Sequence, residues 1–185
     1  MTTYIGDEAI VAPQQFSLTG RKMRKVRQSV HRIERAGYTV MIARRRDLDP
    51  ALLNRLREAS TTWLGGKGER GFSMALDSPW DEEHDDCVFA IALGSDGSPA
   101  AYIHFVPMLT TGDLSLSTMR RAATAPNGLN EAILAAVFGW ARTAGIGRVG
   151  LNFSAFGRIL RSDDLQGFER LAAEALMRGD RWFQL

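Results

Sequence analysis

The stretch from Asn127 to Ala144 puts Leu129, Ile133, Val137 and Trp140 on one side of a helix and stops at Gly145, a residue suited to the left-handed turn that ends helices. After it, Val149, Leu151 and Phe153 recur at the two-residue period of a strand. Before it, Cys87–Leu93 and Ala100–Val106 are apolar runs of strand length joined by Gly94-Ser95-Asp96-Gly97-Ser98, which predicts an antiparallel hairpin. Leu114–Met119 can add a third strand. A sheet with helices packed on it accounts for this order.

The flanks extend the pattern. From Arg21 to Arg35, Met23, Val26, Val30 and Ile33 recur at helical steps with Arg21, Lys22, Arg24, Lys25, Arg27 and Arg32 between them, an amphipathic helix with a basic outer side that stops at Gly37. Tyr38–Ala43 reads as a strand. Asp49-Pro50 supplies a cap and a first-turn proline for a helix carrying Leu52, Leu53, Leu56 and Trp63, ending at Gly65-Gly66. Residues 65–86 are rich in Gly, Pro and charge and predict a long loop around an extended piece at Gly71–Leu76. A last helix is expected near Asp164–Met177, before Trp182-Phe183.

Composition narrows the class. With 185 residues, 45% of them hydrophobic, the chain can bury one substantial core. No apolar run approaches the length of a membrane span, and the amino end lacks the pattern of a signal peptide; a cytoplasmic protein is expected. The single cysteine, Cys87, offers neither an internal disulfide nor a metal cluster. Charge is uneven: residues 1–46 hold ten Lys/Arg against three Asp/Glu, and the remainder thirteen against eighteen. The basic end is the place for a polyanion, or is a solvated helix side.

Several strings, in order, resemble one family: Gly20-Arg21-Lys22-Met23-Arg24-Lys25-Val26-Arg27, Glu69-Arg70-Gly71-Phe72-Ser73, Leu114-Ser115-Leu116-Ser117-Thr118-Met119-Arg120-Arg121, Pro126-Asn127-Gly128-Leu129-Asn130-Glu131 and Leu151-Asn152-Phe153-Ser154. Together they are similar to the C-terminal catalytic domain of the bacterial phosphatidylglycerol lysyltransferases. The resemblance implies an α/β (α+β) fold of the N-acetyltransferase-like (GNAT) type, with a mixed, mostly antiparallel sheet flanked by helices. It implies a basic connecting segment and helix at 1–37 and, at 38–185, the second of the family's tandem GNAT-like units, ending short of the family's basic C-terminal segment. The implied activity moves an aminoacyl group, usually lysyl, from a charged tRNA to a hydroxyl of phosphatidylglycerol, without metal or other cofactor. The implied partners are aminoacyl-tRNA and anionic phospholipid.

Such a transfer passes through a tetrahedral oxyanion and needs cationic or N–H donors and a base. Arg120, at a strand end facing the start of the long helix, is the expected donor; a loop-pinning salt bridge is the alternative. Glu69 and Glu131 are candidates for the aminoacyl amine, although Glu131 also suits a first helical turn. Arg70, Phe72 and Ser73 form a substrate-edge segment. Asn127, Asn130 and Asn152 supply amides or are caps. Arg21, Lys22, Arg24, Lys25 and Arg27 face tRNA phosphates or lipid headgroups. Family members usually read Leu-Asp-Leu-Met-Arg where this chain has Leu116-Ser117-Thr118-Met119-Arg120, so Ser117 takes a catalytic position without an anionic base. His104 is expected to be a packed or partly exposed strand residue rather than a catalyst. His84 among Asp81, Glu82, Glu83, Asp85 and Asp86 suits a solvated acidic loop better than a metal site. The turn from Arg120 to Gly128 has one glycine and does not look like a coenzyme A cradle, which argues against acetyl-CoA as donor. A non-catalytic tRNA- or membrane-binding module is the remaining reading.

Overall fold

The computed structural model describes residues 7–65, 79–80 and 84–154, and the side chains of all of these except residues 7, 8 and 152–154. They form β1 (Asp7–Val11), α1 (Arg24–Arg35), β2 (Thr39–Arg44), α2 (Pro50–Leu64), β3 (Val88–Leu93), β4 (Pro99–Pro107), β5 (Leu114–Arg121), α3 (Leu129–Thr143) and β6 (Val149–Ser154). Strand order is β1-β6-β5-β4-β3-β2. The chain divides into a larger unit, Val11–Gly150, and a smaller one made of Met1–Ile10 and Leu151–Leu185.

Within the larger unit, β2, β3, β4 and β5 pair antiparallel in sequence, and β5 pairs parallel with β6 at Leu114–Val149 and Ser115–Gly150. The parallel pairing is what α3 makes possible, since parallel neighbours need a crossover. The expected mixed, mostly antiparallel sheet is therefore present. The two sheet faces carry different helices. On one, Leu48, Leu52 and Leu56 pack with Phe89, Ile91 and Tyr102, bordered by Trp63 and Trp80. Alternation sends Val88, Ala90, Ala92, Ala101, Ile103 and Phe105, all buried, to the other face. There α3 lies against β2, β3 and β4, with α1 against α3. Each fully buried Leu, Ile or Phe stabilises the fold by roughly 1.5–3 kcal/mol.

Local chemistry explains most boundaries. Asp49 caps α2 by accepting the Ala51 amide at 3.0 Å, and Gly65 ends the helix at φ 57°. Two expected helix starts are corrected. The basic helix begins at Arg24 rather than Arg21, because Arg21 closes a turn in which its carbonyl accepts the Arg24 amide at 3.2 Å. The long helix begins at Leu129 rather than Asn127, because Gly128 holds φ 93°. β1 has no counterpart among the expected elements; its Ala9-Ile10-Val11 run is too short to show a period. The expected helix near 164–177 and the extended piece at 71–76 lie outside the described residues.

Candidate active site

The site candidate is built on β5, and its orientation depends on one extra residue. Thr118 pairs with His104 and Leu116 with Phe105, leaving Ser117 as a bulge. A bulge reverses the alternation of side chains along the strand. Unbroken alternation would send Leu116 and Arg120 to the same side. Instead Arg120 lies opposite Tyr102 and Thr118 opposite His104, on the face that holds Tyr102 and is covered by α2. The expectation that Arg120 faces the start of the long helix is thereby corrected, since α3 covers the other face.

This face is mostly aromatic, with a polar centre. Phe89 and His104 have ring centroids 4.8 Å apart, and Trp80 and Tyr102 5.6 Å. The Tyr102 hydroxyl and Ser60 Oγ share a hydrogen bond of 3.0 Å. His104 is 3% exposed, which agrees with a packed strand residue, yet neither of its ring nitrogens has a hydrogen-bond partner among the described residues. Burial, and then the neighbouring His84, push its imidazole down to about 4. It is therefore neutral at pH 7, with one nitrogen donating and the other accepting. Arg120 is half-buried, and its Nη1 donates to the Met119 carbonyl at 3.4 Å. Ser117 Oγ lies 3.5 Å from Thr118 Oγ1. The hydroxyl pair and Arg120 therefore meet on one strand, next to a neutral histidine on its neighbour.

The turn after β5 holds the next candidates. Asn127 is exposed at the turn, and its carbonyl accepts from Arg32 Nη2 at 2.6 Å. Asn130 is half-buried, and its buried Oδ1 has no hydrogen-bond partner among the described residues. Glu131 is exposed in the first turn of α3, where a carboxylate also suits the helix dipole. Asn152 lies on β6, with its side chain outside the described set, and Glu69, Arg70, Phe72 and Ser73 are likewise outside it. Sequence reading misses the link between α1 and this turn; its one signal is Gly128, where a Cβ would meet Arg32 Nη2 at 2.7 Å and Ser29 at 2.8 Å.

The basic candidates separate into two groups. Arg21, Lys22, Arg24 and Lys25 are exposed, and among the described residues none is in an ion pair. Arg27 is half-buried and donates to the Leu18 carbonyl, and at 3.4 Å to that of Gly20, so it also anchors the segment ahead of α1. A second cationic run, not anticipated as a unit, follows β2. Arg45 reaches Asp85 at 2.8 Å, while Arg44 and Arg46 both reach Asp86, at 3.2 and 2.5 Å. These acidic residues serve as ion-pair partners that tie the end of β2 to the start of β3. No group of three His, Cys, Asp or Glu suited to a metal occurs among the described residues. Nor, among them, is any helix long and apolar enough to cross a membrane.

A six-stranded mixed sheet with helices on both faces, whose parallel pair is linked by α3, is a GNAT-like fold. Residues 2–185 match the family described as phosphatidylglycerol lysyltransferase, C-terminal. The chain belongs to that family. It is 40% identical over 188 residues to the lysylphosphatidylglycerol biosynthesis bifunctional protein LysX of Mycobacterium avium, covering 98% of this chain and 16% of the relative. The LysX protein of Rhodococcus opacus is 37% identical over 184 residues, again 98% of this chain and 16% of that one. The chain thus spans about a sixth of the length of these relatives. Among solved structures, L-PGS from Bacillus licheniformis superposes with a TM-score of 0.69 at 30% identity, covering 81% of this chain and 47% of that one. The DUF2156 C-terminal domain from Agrobacterium fabrum gives 0.70 at 23%, covering 85% and 50%, and speaks to the fold alone.

Proposed function

We propose that this chain is the aminoacyl-transferring part of a lysylphosphatidylglycerol synthase, moving a lysyl group from its tRNA ester to a hydroxyl of phosphatidylglycerol. The observation that carries the reading is the family match along residues 2–185; in this reading Arg120, opposite Tyr102 on β4, is the cation of the site. Arg120 stabilises the oxyanion that forms when the acceptor oxygen attacks the aminoacyl carbonyl. Ser117, Asn127, Asn130 and Asn152 supply hydrogen bonds to the substrates, with Arg70, Phe72 and Ser73 at the substrate edge. Glu69 and Glu131 are the carboxylates for the aminoacyl amine.

In this reading residues 1–37 are the connecting segment and 38–185 the second of two tandem GNAT-like units. The exposed cations Arg21, Lys22, Arg24 and Lys25, with Arg27, face tRNA phosphates or anionic headgroups, and the domain works on the cytoplasmic face of the membrane. Acetyl-CoA is disfavoured as donor. The turn into α3 has one glycine, and the space beside it is taken by Arg32 and Ser29.

The test is incubation with labelled lysyl-tRNA and phosphatidylglycerol vesicles, with acetyl-CoA titrated calorimetrically alongside. Label in the lipid is expected and no coenzyme A binding. Absence of lipid label with tight, salt-sensitive tRNA or vesicle binding would replace the proposal with a non-catalytic module.

A further inference from the structure

His104 is the buried group for which the fold offers no purpose. It is 3% exposed, and among the described residues neither ring nitrogen has a hydrogen-bond partner. Leaving a buried polar atom unsatisfied forfeits its hydration with nothing in return, so a ring that served only to fill space would be better replaced by an apolar one. The register sets His104 directly opposite Thr118 and diagonal to Arg120. Diagonal neighbours across an antiparallel pair have Cβ atoms roughly 7–8 Å apart, within reach of long side chains.

Transfer to an alcohol requires a base for the incoming hydroxyl. Among the described residues the polar side chains on this face include Ser60, Tyr102, His104, Ser115, Thr118 and Arg120, and His84 lies close enough to His104 to act on its imidazole. Serine and threonine hydroxyls are not bases at neutral pH, tyrosine ionises near 10, and arginine stays protonated. Imidazole alone among them accepts and returns a proton under those conditions.

We infer that His104 is the general acid–base of this site, acting on the acceptor hydroxyl and the leaving ribose oxygen; the inference rests on the aminoacyl-transfer reading above. The unprotonated ring nitrogen takes the acceptor's proton as that oxygen bonds to the aminoacyl carbonyl carbon. The bond from that carbon to the ribose oxygen then breaks, and the imidazolium returns the proton to the ribose oxygen. No proton is gained or lost overall. The oxyanion formed beside Arg120 stabilises the imidazolium, so the ring becomes more basic as the reaction proceeds.

The experiment compares the full chain with His104→Gln and His104→Ala in lysyl-tRNA to phosphatidylglycerol transfer. Glutamine keeps the hydrogen-bonding ability and comparable size but cannot carry the proton. It is expected to lower kcat by roughly 10²-fold or more with KM little changed, while circular dichroism and the thermal midpoint show a folded protein. His104→Ala is expected to regain rate on addition of imidazole, which a packing role would not produce. A folded His104→Gln protein with wild-type kcat overturns the inference and leaves the transfer reading standing. A loss in both variants with no imidazole rescue also overturns it, and assigns His104 to structure. A wild-type chain that transfers nothing overturns the two together.

Discussion

Arg32 on α1 donates from its Nη2 to the main-chain carbonyl of Asn127 at 2.6 Å, so the basic helix is fastened to the turn that starts α3. The fastening is close. Gly128, at φ 93°, has no room for a Cβ between Arg32 and Ser29. Gly128→Ala is expected to destabilise the fold by at least about 1–3 kcal/mol through backbone strain, with further loss from the clash. Arg32→Ala should cost less, up to roughly 1 kcal/mol, because its bond is exposed. Urea unfolding of the two variants checks the order.

Arg120 is expected to be the most sensitive position for transfer. Arg120→Ala should lower kcat by roughly 10²–10³-fold, as loss of an oxyanion donor does elsewhere. Arg120→Lys should recover part of that, since an ammonium keeps the charge without the planar fork. Single-turnover transfer of labelled lysine measures both.

The His104 imidazole sits at about 4 in the fold against 6.5 when free. Between those values the unfolded chain binds a proton that the native one does not, so stability falls as pH drops through that window. The penalty begins near pH 6.5 and is complete below about 4, reaching about 3 kcal/mol. His104→Gln should flatten that part of the stability profile, as read from unfolding midpoints across the same window.

Cys87 is 3% exposed, and burial, then the charge of Asp86, push its thiol up. The thiolate is the reactive form. A thiol reagent at mildly alkaline pH should leave Cys87 untouched in the folded chain and modify it fully in denaturant; rapid labelling of the native protein would contradict the burial.

Arg21, Lys22, Arg24 and Lys25 stand in solvent without ion-pair partners among the described residues. Replacing all four with Gln should leave the unfolding midpoint almost unchanged. If they meet tRNA phosphates, the slope of log affinity against log salt should become shallower by roughly 0.7–0.9 for each phosphate neutralisation removed. Filter binding across salt concentrations reads it.

The sheet and its helices are legible in the sequence because apolar runs and caps are local. Asp49-Pro50 and Gly65 mark α2 by chemistry that acts within one turn, and the Gly94–Ser98 run marks a hairpin in the same way. What is not legible depends on partners far along the chain. That Arg32 reaches Asn127, or that Arg45 meets Asp85, follows from packing rather than periodicity. The Ser117 bulge is hidden for a different reason. Leu114, Leu116, Thr118 and Arg120 fit an even period, and only pairing with β4 reveals that the period breaks. His104 reads only as a packed or partly exposed strand residue; its burial and its lack of hydrogen-bond partners among the described residues are visible only once its neighbours are known.

That break makes the aim of β5 depend on residue count as well as residue type. Deleting Ser117 alone would leave every other side chain chemically intact while turning the strand's far end over, so that the guanidinium of Arg120 would meet hydrophobic packing in place of the aromatic and histidine side chains. A single codon gained or lost here would thus reverse which side chains the strand presents beyond the break.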